Sequence, residues 1–217
     1  NVPESSLARE CDSTIITHAG PEIGVASTKA FTTQLTALML LIIVLGKKFE
    51  ITDDLENSLC TQLKGLPEKI KSTLALDSKI AELAEIFSDK EHALFLGRGS
   101  HYPIAREGAL KLKEISYIHA ESYAAGELKH GPLAIVDENM PVVAVAPNNI
   151  VLEKLKSNLE EVKARGGKLY IFADKKAGFK NDDISQVFEI DAPMNPVAPI
   201  LFTIPLQLLA YHCAIIK

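Results

Sequence analysis

The chain has 217 residues, 47% hydrophobic and 24% charged, with a net charge of −5 at pH 7. That is enough apolar material for a well-buried core that needs no disulfide or metal staple. Lysines stand among acids, as in Glu153-Lys154 and Glu160-Glu161-Val162-Lys163, which excludes the clustered basic face that nucleic acid requires. The chain opens at Asn1 in a loop-like NVPESS without an initiator Met, and it stops at Lys217 straight after an apolar segment. Both ends read as cut, as in a piece of a longer polypeptide.

Ser13 to His18 (STIITH) alternates and is β-branched, which predicts a short strand. Ala19-Gly20-Pro21 breaks it. Ser27-Thr28 then stands as a helix N-cap before a long apolar pattern ending at Gly46. Within it, Ala37 to Leu45 is the longest apolar run. It is shorter than the roughly 20 residues a bilayer takes, so it reads as a buried helix and no membrane partner is expected. Leu55 to Leu76 is helical in pattern, with interruptions expected at Gly65 and Pro67. Ile80, Leu83, Ala84 and Phe87 mark another helix over Ser78 to Phe87.

From Glu91 the pattern changes. Ala93-Leu-Phe-Leu96 is a compact apolar strand running into Gly97-Arg98-Gly99-Ser100, and a helix follows from about Pro103 to Ser116. Pro141 to Ala146 is a second strand, Lys168 to Ala173 a third and Val187 to Ile190 a shorter fourth. Between the second and third, Leu152 to Arg165 is an amphipathic helix stopped by Gly166-Gly167. Pro199 to Ile216 is an apolar helix with Pro205 as a kink point. Strands that are continuous apolar runs alternating with helices predict an α/β fold with a mostly parallel sheet covered on both faces. Ligands of such sheets sit at the carboxyl ends of the strands. Cys11, Cys60 and Cys213 are odd in number and widely spaced, so they form neither a disulfide framework nor a CxxC metal motif. Cys213 reads as a buried thiol, and a reducing, cytoplasmic compartment fits.

The chemistry concentrates between Arg106 and Ile135. Lys111 and Glu114, spaced i,i+3, share one helix face. They read either as a surface ion pair or as an oxyanion-attracting cation beside a general base whose pKa partial burial would raise. His130, in Glu127-Leu-Lys-His-Gly-Pro, is a loop imidazole that could donate and accept protons near neutrality, or simply be solvated. His101, His119 and His130 match no zinc spacing, so no metal is expected. Gly97-Arg98-Gly99-Ser100 reads as a tight strand-to-helix turn or an anion contact. Tyr102 stands where a dinucleotide fingerprint has its third glycine, and no P-loop or GxSxG elbow is present.

Six segments carry a family resemblance: Glu22–Gln34, Ala93–Gly99, Glu107–Ala120, Gly126–Pro132, Ala146–Asn149 and Pro205–Lys217. They are similar to the isomerase domain of the glucosamine-6-phosphate synthase family, built from sugar-isomerase (SIS) subdomains. The resemblance implies a three-layer αβα sandwich of SIS type around a mostly parallel sheet. Residues 1–88 would be the C-terminal part of a first SIS subdomain with connecting helices, and 89–217 a second subdomain. By that likeness Glu114 moves the proton between C1 and C2 of fructose 6-phosphate. His130 assists ring opening from the partner subunit of a homodimer, and Lys111 lies near the reacting oxygens. Val25 and Ser27 match positions that hold the sugar. The family uses no metal or redox cofactor, and it carries an amino-terminal glutaminase domain and a carboxyl-terminal tail with a Schiff-base lysine. Neither of those parts is in this sequence, nor are the sugar-phosphate loops of the first subdomain. The chain is therefore expected to hold half a site and to make no product alone. Two other readings stay open: a non-catalytic SIS module that binds a sugar phosphate and regulates a partner, and an amino-sugar deglycase.

Overall fold

The computed structural model describes residues 3–49, 51–192 and 196–217; the first two residues of the loop-like opening lie outside them. The chain divides into two compact units, Asn1–Pro67 and Glu68–Lys217.

In the first unit, helix α1 (Ser6–Glu10) is capped by Ser5, whose hydroxyl accepts from the Ala8 N–H at 3.2 Å. Ser13 to His18, expected as a strand, has no strand assignment. Its β-branched residues favour extended backbone, but among the described residues of this unit no strand lies beside it to complete a ladder. Helix α2 (Lys29–Gly46) begins where expected, with Thr28 at the N-cap position, but the Thr28 side chain makes no capping bond. The cap comes from Glu22: its Oε1 accepts from the backbone N–H groups of Thr28 and Ala30, both at 2.9 Å, and from the Ser27 hydroxyl at 3.5 Å. Those donors hold the Glu22 carboxyl below its usual range, the Ala30 N–H contributing most. Helix α3 (Asp53–Leu74) runs through Gly65 and Pro67 without the interruptions expected there. Pro67 forgoes one backbone bond, and burial of Leu59 and Leu66 on one face helps hold the helix across it.

The second unit holds a sheet of five strands in the order β2-β1-β3-β4-β5. These are β1 (His92–Gly97), β2 (His119–Ala124), β3 (Pro141–Ala146), β4 (Lys168–Asp174) and β5 (Ser185–Ile190). Every neighbouring pair is parallel. Four of the five follow the apolar runs in the sequence. β2 does not: HAESYA buries only Ala120 fully, because an edge strand with one neighbour keeps much of its surface in solvent. Side chains alternate across the sheet. Leu94, Leu96, Val142, Ala144, Leu169 and Ile171 face helix α6 (Leu152–Ala164), which lays Leu152, Leu155, Leu159 and Val162 on them. The other face carries Phe95, Val143, Tyr170 and Phe172 and is covered by α4 (Asp77–Phe87), α5 (Tyr102–Ser116) and α7 (Ala198–Ile216). There Phe87 meets Tyr170 edge-on, with ring centroids 5.3 Å apart. This is the three-layer αβα sandwich. By length and composition alone α2 and α7 could each cross a membrane. More than half of α7 is buried, which makes it a core helix.

Candidate functional site

Helix α5 starts at the carboxyl rim of the sheet, where β1 ends, and its length returns it to the amino rim, where β2 begins. Gly97 makes that turn possible: a Cβ there would lie 2.3 Å from the His101 carbonyl oxygen. Gly99, at φ 59, opens a short 3-10 turn over Gly99–His101 that leads straight into α5. The GRGS segment therefore serves as the strand-to-helix turn. Arg98 projects from it and donates to Asn158 Oδ1 of α6 at 2.9 Å. It also lies against Gly126, where a Cβ would sit 2.7 Å from its Nη1.

Lys111 is buried although it is a lysine, with only 4% of its surface exposed. Its ammonium donates to Glu114 Oε2 at 2.5 Å and lies 3.6 Å from Glu107 Oε1. The expected i,i+3 pair is thus present, but Lys111 is no surface residue, and a third member joins it. Glu107 is the residue that sequence reasoning missed. Its carboxylate is nine-tenths buried, and its Oε1 has no hydrogen-bond partner. Burial pushes the Glu107 pKa up, against the pull of Lys111. The i,i+4 spacing to Lys111 was the available signal, but the same spacing decorates many solvated helices.

His130 ends a 3-10 segment (Ala125–His130) that continues from the carboxyl end of β2, and it is exposed. Gly131 follows at φ 135, a conformation that L side chains rarely adopt. Glu114 lies twelve residues into α5, roughly 18 Å along the helix from its start. β2 then climbs about 20 Å back to the carboxyl rim. Among the described residues no hydrogen bond or ion pair joins His130 to Lys111 or Glu114. Val25 and Ser27 belong to the other compact unit. Val25 is exposed, and the Ser27 hydroxyl is engaged by Glu22.

The remaining histidines form no joint site. His101 is buried edge-on against Phe202, with centroids 5.1 Å apart, and its Nδ1 faces the Ser100 hydroxyl at 3.2 Å. Burial lowers its pKa to about 4. His92 and His119 face each other at the amino rim, Nδ1 to Nδ1 at 3.1 Å. Among the described residues no group of three or more His, Cys, Asp or Glu side chains is placed to hold a metal ion. An apolar-walled hollow of about 600 Å³ opens beside that histidine pair, between Leu94, Ile135 and Met140. Another of about 610 Å³ lies between α5 and β2, lined by Arg106, Glu107, Lys113 and Ser122.

Comparison with known proteins bears on the chain as a whole. Residues 1–44 and 86–217 match the sequence pattern of the SIS domain family. The glutamine–fructose-6-phosphate aminotransferase (isomerizing) of Escherichia coli strain K12 is 61% identical over all 217 residues, which span 36% of that protein. The aminotransferase of the same name from Yersinia pseudotuberculosis is 60% identical over the same 217 residues, again 36% of its length. Among solved structures, the C-terminal domain of glucosamine-fructose-6-phosphate aminotransferase from Francisella tularensis superposes with a TM-score of 0.97 at 59% identity, covering 100% of this chain and 61% of that one. Glucosamine-6-phosphate deaminase from Thermotoga maritima matches with a TM-score of 0.68 at 24% identity over 98% of this chain and 59% of that one, a likeness of fold alone.

Proposed function

Because this chain belongs to the SIS domain family, we propose that it is part of the isomerase domain of a longer enzyme making glucosamine 6-phosphate from fructose 6-phosphate and glutamine. The observation that carries this is the 61% identity, over every residue of the chain, to an aminotransferase of that name. The chain spans 36% of that relative, so the glutaminase part and the rest of the sugar site are assigned to the longer protein. In this reading residues 1–88 close a first SIS subdomain and 89–217 form the second.

The reaction opens the ketose ring, takes up glutamine-derived nitrogen at C2 and shifts a proton between C1 and C2. A carboxylate close to that proton and donors close to the developing oxyanion are what such a step needs. Glu114 is the assigned base: its side chain is about one-third exposed, so substrate can reach it, while Lys111 holds it at 2.5 Å. The Lys111 ammonium, withdrawn from water, attracts a developing oxyanion far more strongly than a surface lysine would. Val25 and Ser27 are assigned to sugar binding. His130 is assigned to ring opening. Glu114 and His130 leave from opposite rims of one sheet, which supports a homodimer in which His130 serves the neighbour's Glu114. Three cysteines without a disulfide fit a cytoplasmic protein.

The test uses the full-length protein. Wild type is expected to form glucosamine 6-phosphate from fructose 6-phosphate and glutamine, and Glu114→Gln to lose about 10²–10⁴-fold in kcat. A folded, dimeric wild type that makes no product would sink the assignment in favour of a sugar-phosphate-binding regulatory module. Consumption of a preformed amino sugar without any need for glutamine would make the protein a deglycase. Product from both proteins would keep the enzyme and remove Glu114 as its base.

A further inference from the structure

We propose that Arg98 is a positioning residue for His130: its guanidinium ties the carboxyl end of β1 and the buried face of α6 to the start of the 3-10 segment that carries that imidazole. This rests on the assignment of His130 to ring opening.

The segment Ala125–His130 is poorly suited to hold its own shape. Six residues is long for a 3-10 helix, whose hydrogen bonds are poorly aligned. At its far end Gly131 turns away at φ 135. His130 is exposed, so packing around the ring does not place it. The segment is held by what it leans on. Ala125 and Leu128 are fully buried in the apolar cluster with Leu155 and Leu159 of α6. Apolar burial is non-directional, so it keeps the segment down without fixing its tilt. Lys129 pairs with Glu161 of α6 at 3.1 Å, but the lysine is two-thirds exposed and a pair of that kind contributes little in water.

Arg98 supplies the directional contact. It leaves β1 directly after Gly97 and donates from Nη1 to Asn158 Oδ1 at 2.9 Å. Asn158 is itself nine-tenths buried, where an amide oxygen needs a donor. The guanidinium also faces Gly126, the second residue of the 3-10 segment. A Cβ there would lie 2.7 Å from Nη1, 3.3 Å from Cζ and 3.4 Å from Nη2. Only a glycine lets the planar group come so near the backbone. Both anchors of Arg98 are rigid: β1 is an inner strand between β2 and β3, and α6 packs on the sheet. A group rooted in both is a fixed wall for the third element. Gly126 stands four residues before His130, so a tilt at that wall is carried to the imidazole.

The chemistry makes that tilt matter. Opening the ring breaks the C2–O5 bond, leaves a carbonyl at C2 and moves a proton from the anomeric hydroxyl to O5. An imidazole serves this transfer only within hydrogen-bond reach. A displacement of about 1 Å costs on the order of 10²-fold in rate. Arg98 acts on the step through the backbone and does not touch the sugar.

The experiment measures kcat and KM of the full-length protein for fructose 6-phosphate and for 5-deoxyfructose 6-phosphate, which lacks the hydroxyl that closes the ring and is always open. The variants are Arg98→Met, Gly126→Ala, His130→Ala and the double variant Arg98→Met with His130→Ala, with thermal unfolding followed in parallel. Arg98→Met keeps the stem and removes the guanidinium. It should lose about 10- to 100-fold in kcat on fructose 6-phosphate and less than about 3-fold on the open analogue. In the His130→Ala background the same change should add no more than about 2-fold, because the residue it acts through is gone. A general packing role lowers both substrates alike and adds to His130→Ala in full; either result overturns the inference. If wild type does not turn over the analogue, the double variant decides alone. If Arg98→Met does not fold, Gly126→Ala decides, since its methyl pushes the guanidinium tip away and removes nothing else. A loss confined to fructose 6-phosphate supports the inference, and equal losses on both substrates, or none, overturn it. A His130→Ala variant that treats both substrates alike is a different failure: it removes His130 from ring opening and the inference with it. An inactive wild type is the failure of the proposed function itself.

Discussion

His101 and Cys213 show how burial alone sets the chemistry of a side chain. His101 is held neutral in the fold, its pKa lowered from 6.5 to about 4 by desolvation. Between those values the unfolded chain binds the extra proton, so stability present above pH 6.5 is lost as the pH falls towards 4, by up to about 3 kcal/mol. Thermal unfolding measured from pH 7 to 4 should show that loss, and His101→Gln should flatten it; an equally steep curve in the variant would mean another group is responsible. Burial pushes the Cys213 thiol up to about 12, which leaves almost no thiolate to react. Iodoacetamide at pH 8 should therefore label exposed Cys11 and spare Cys213 until denaturant is added, as read by peptide mass mapping. The same residue scale marks the limit of what the sequence discloses. The spacing of Lys111 and Glu114 put them on one face, and Cys213 was legible as a buried thiol from its apolar neighbours. Glu107 was not legible, because its importance comes from how deeply it is buried, and no local pattern distinguishes that from a solvated i,i+4 pair.

At the scale of elements, the contact between α5 and α7 is the tightest constraint near the site. A Cβ on Gly108 would come within 2.7 Å of Leu206 Cδ1 and 3.1 Å of Phe95 Cε1. Both neighbours are packed on every side, so Gly108→Ala should cost about 1–3 kcal/mol of stability. Chemical denaturation would measure it, and a neutral result would mean that α7 can shift. Helix α2 poses the opposite case. Leu38, Leu41, Ile42, Val44 and Leu45 are all exposed, a run of apolar surface larger than a water-facing helix ordinarily carries. In the proposed function this face is covered by the remainder of the first SIS subdomain. The isolated chain should then bind a dye such as anilinonaphthalene sulfonate strongly, and the full-length protein should not. Equal binding by both would leave the face uncovered. Elements were legible where period and burial agree, as in β3, β4 and α6. β2 was hidden by its polar edge character, and Ser13–His18 misled because β-branched residues set backbone preference without supplying a neighbouring strand.

For the whole molecule, strand and helix alternation was enough to anticipate a parallel sheet between helix layers, and the long family segments named the SIS type. The separation of Glu114 and His130, assigned to catalysis in the proposed function, between rims was beyond reach, since it depends on the direction in which α5 and β2 run. The all-parallel pairing of the sheet has a kinetic consequence as well. Sequence neighbours β1 and β2, β3 and β4 are joined across a whole helix, and the central β1–β3 pairing closes a still longer loop. No hairpin exists in the sheet to nucleate it cheaply. Relative contact order is accordingly high, and loop-closure entropy has to be spent before any ladder forms. Refolding from denaturant should thus be slower than for an antiparallel meander of equal length. While it lasts, the half-polar edge β2 and the bare apolar strands β3 and β4 are the surfaces most open to capture by another chain.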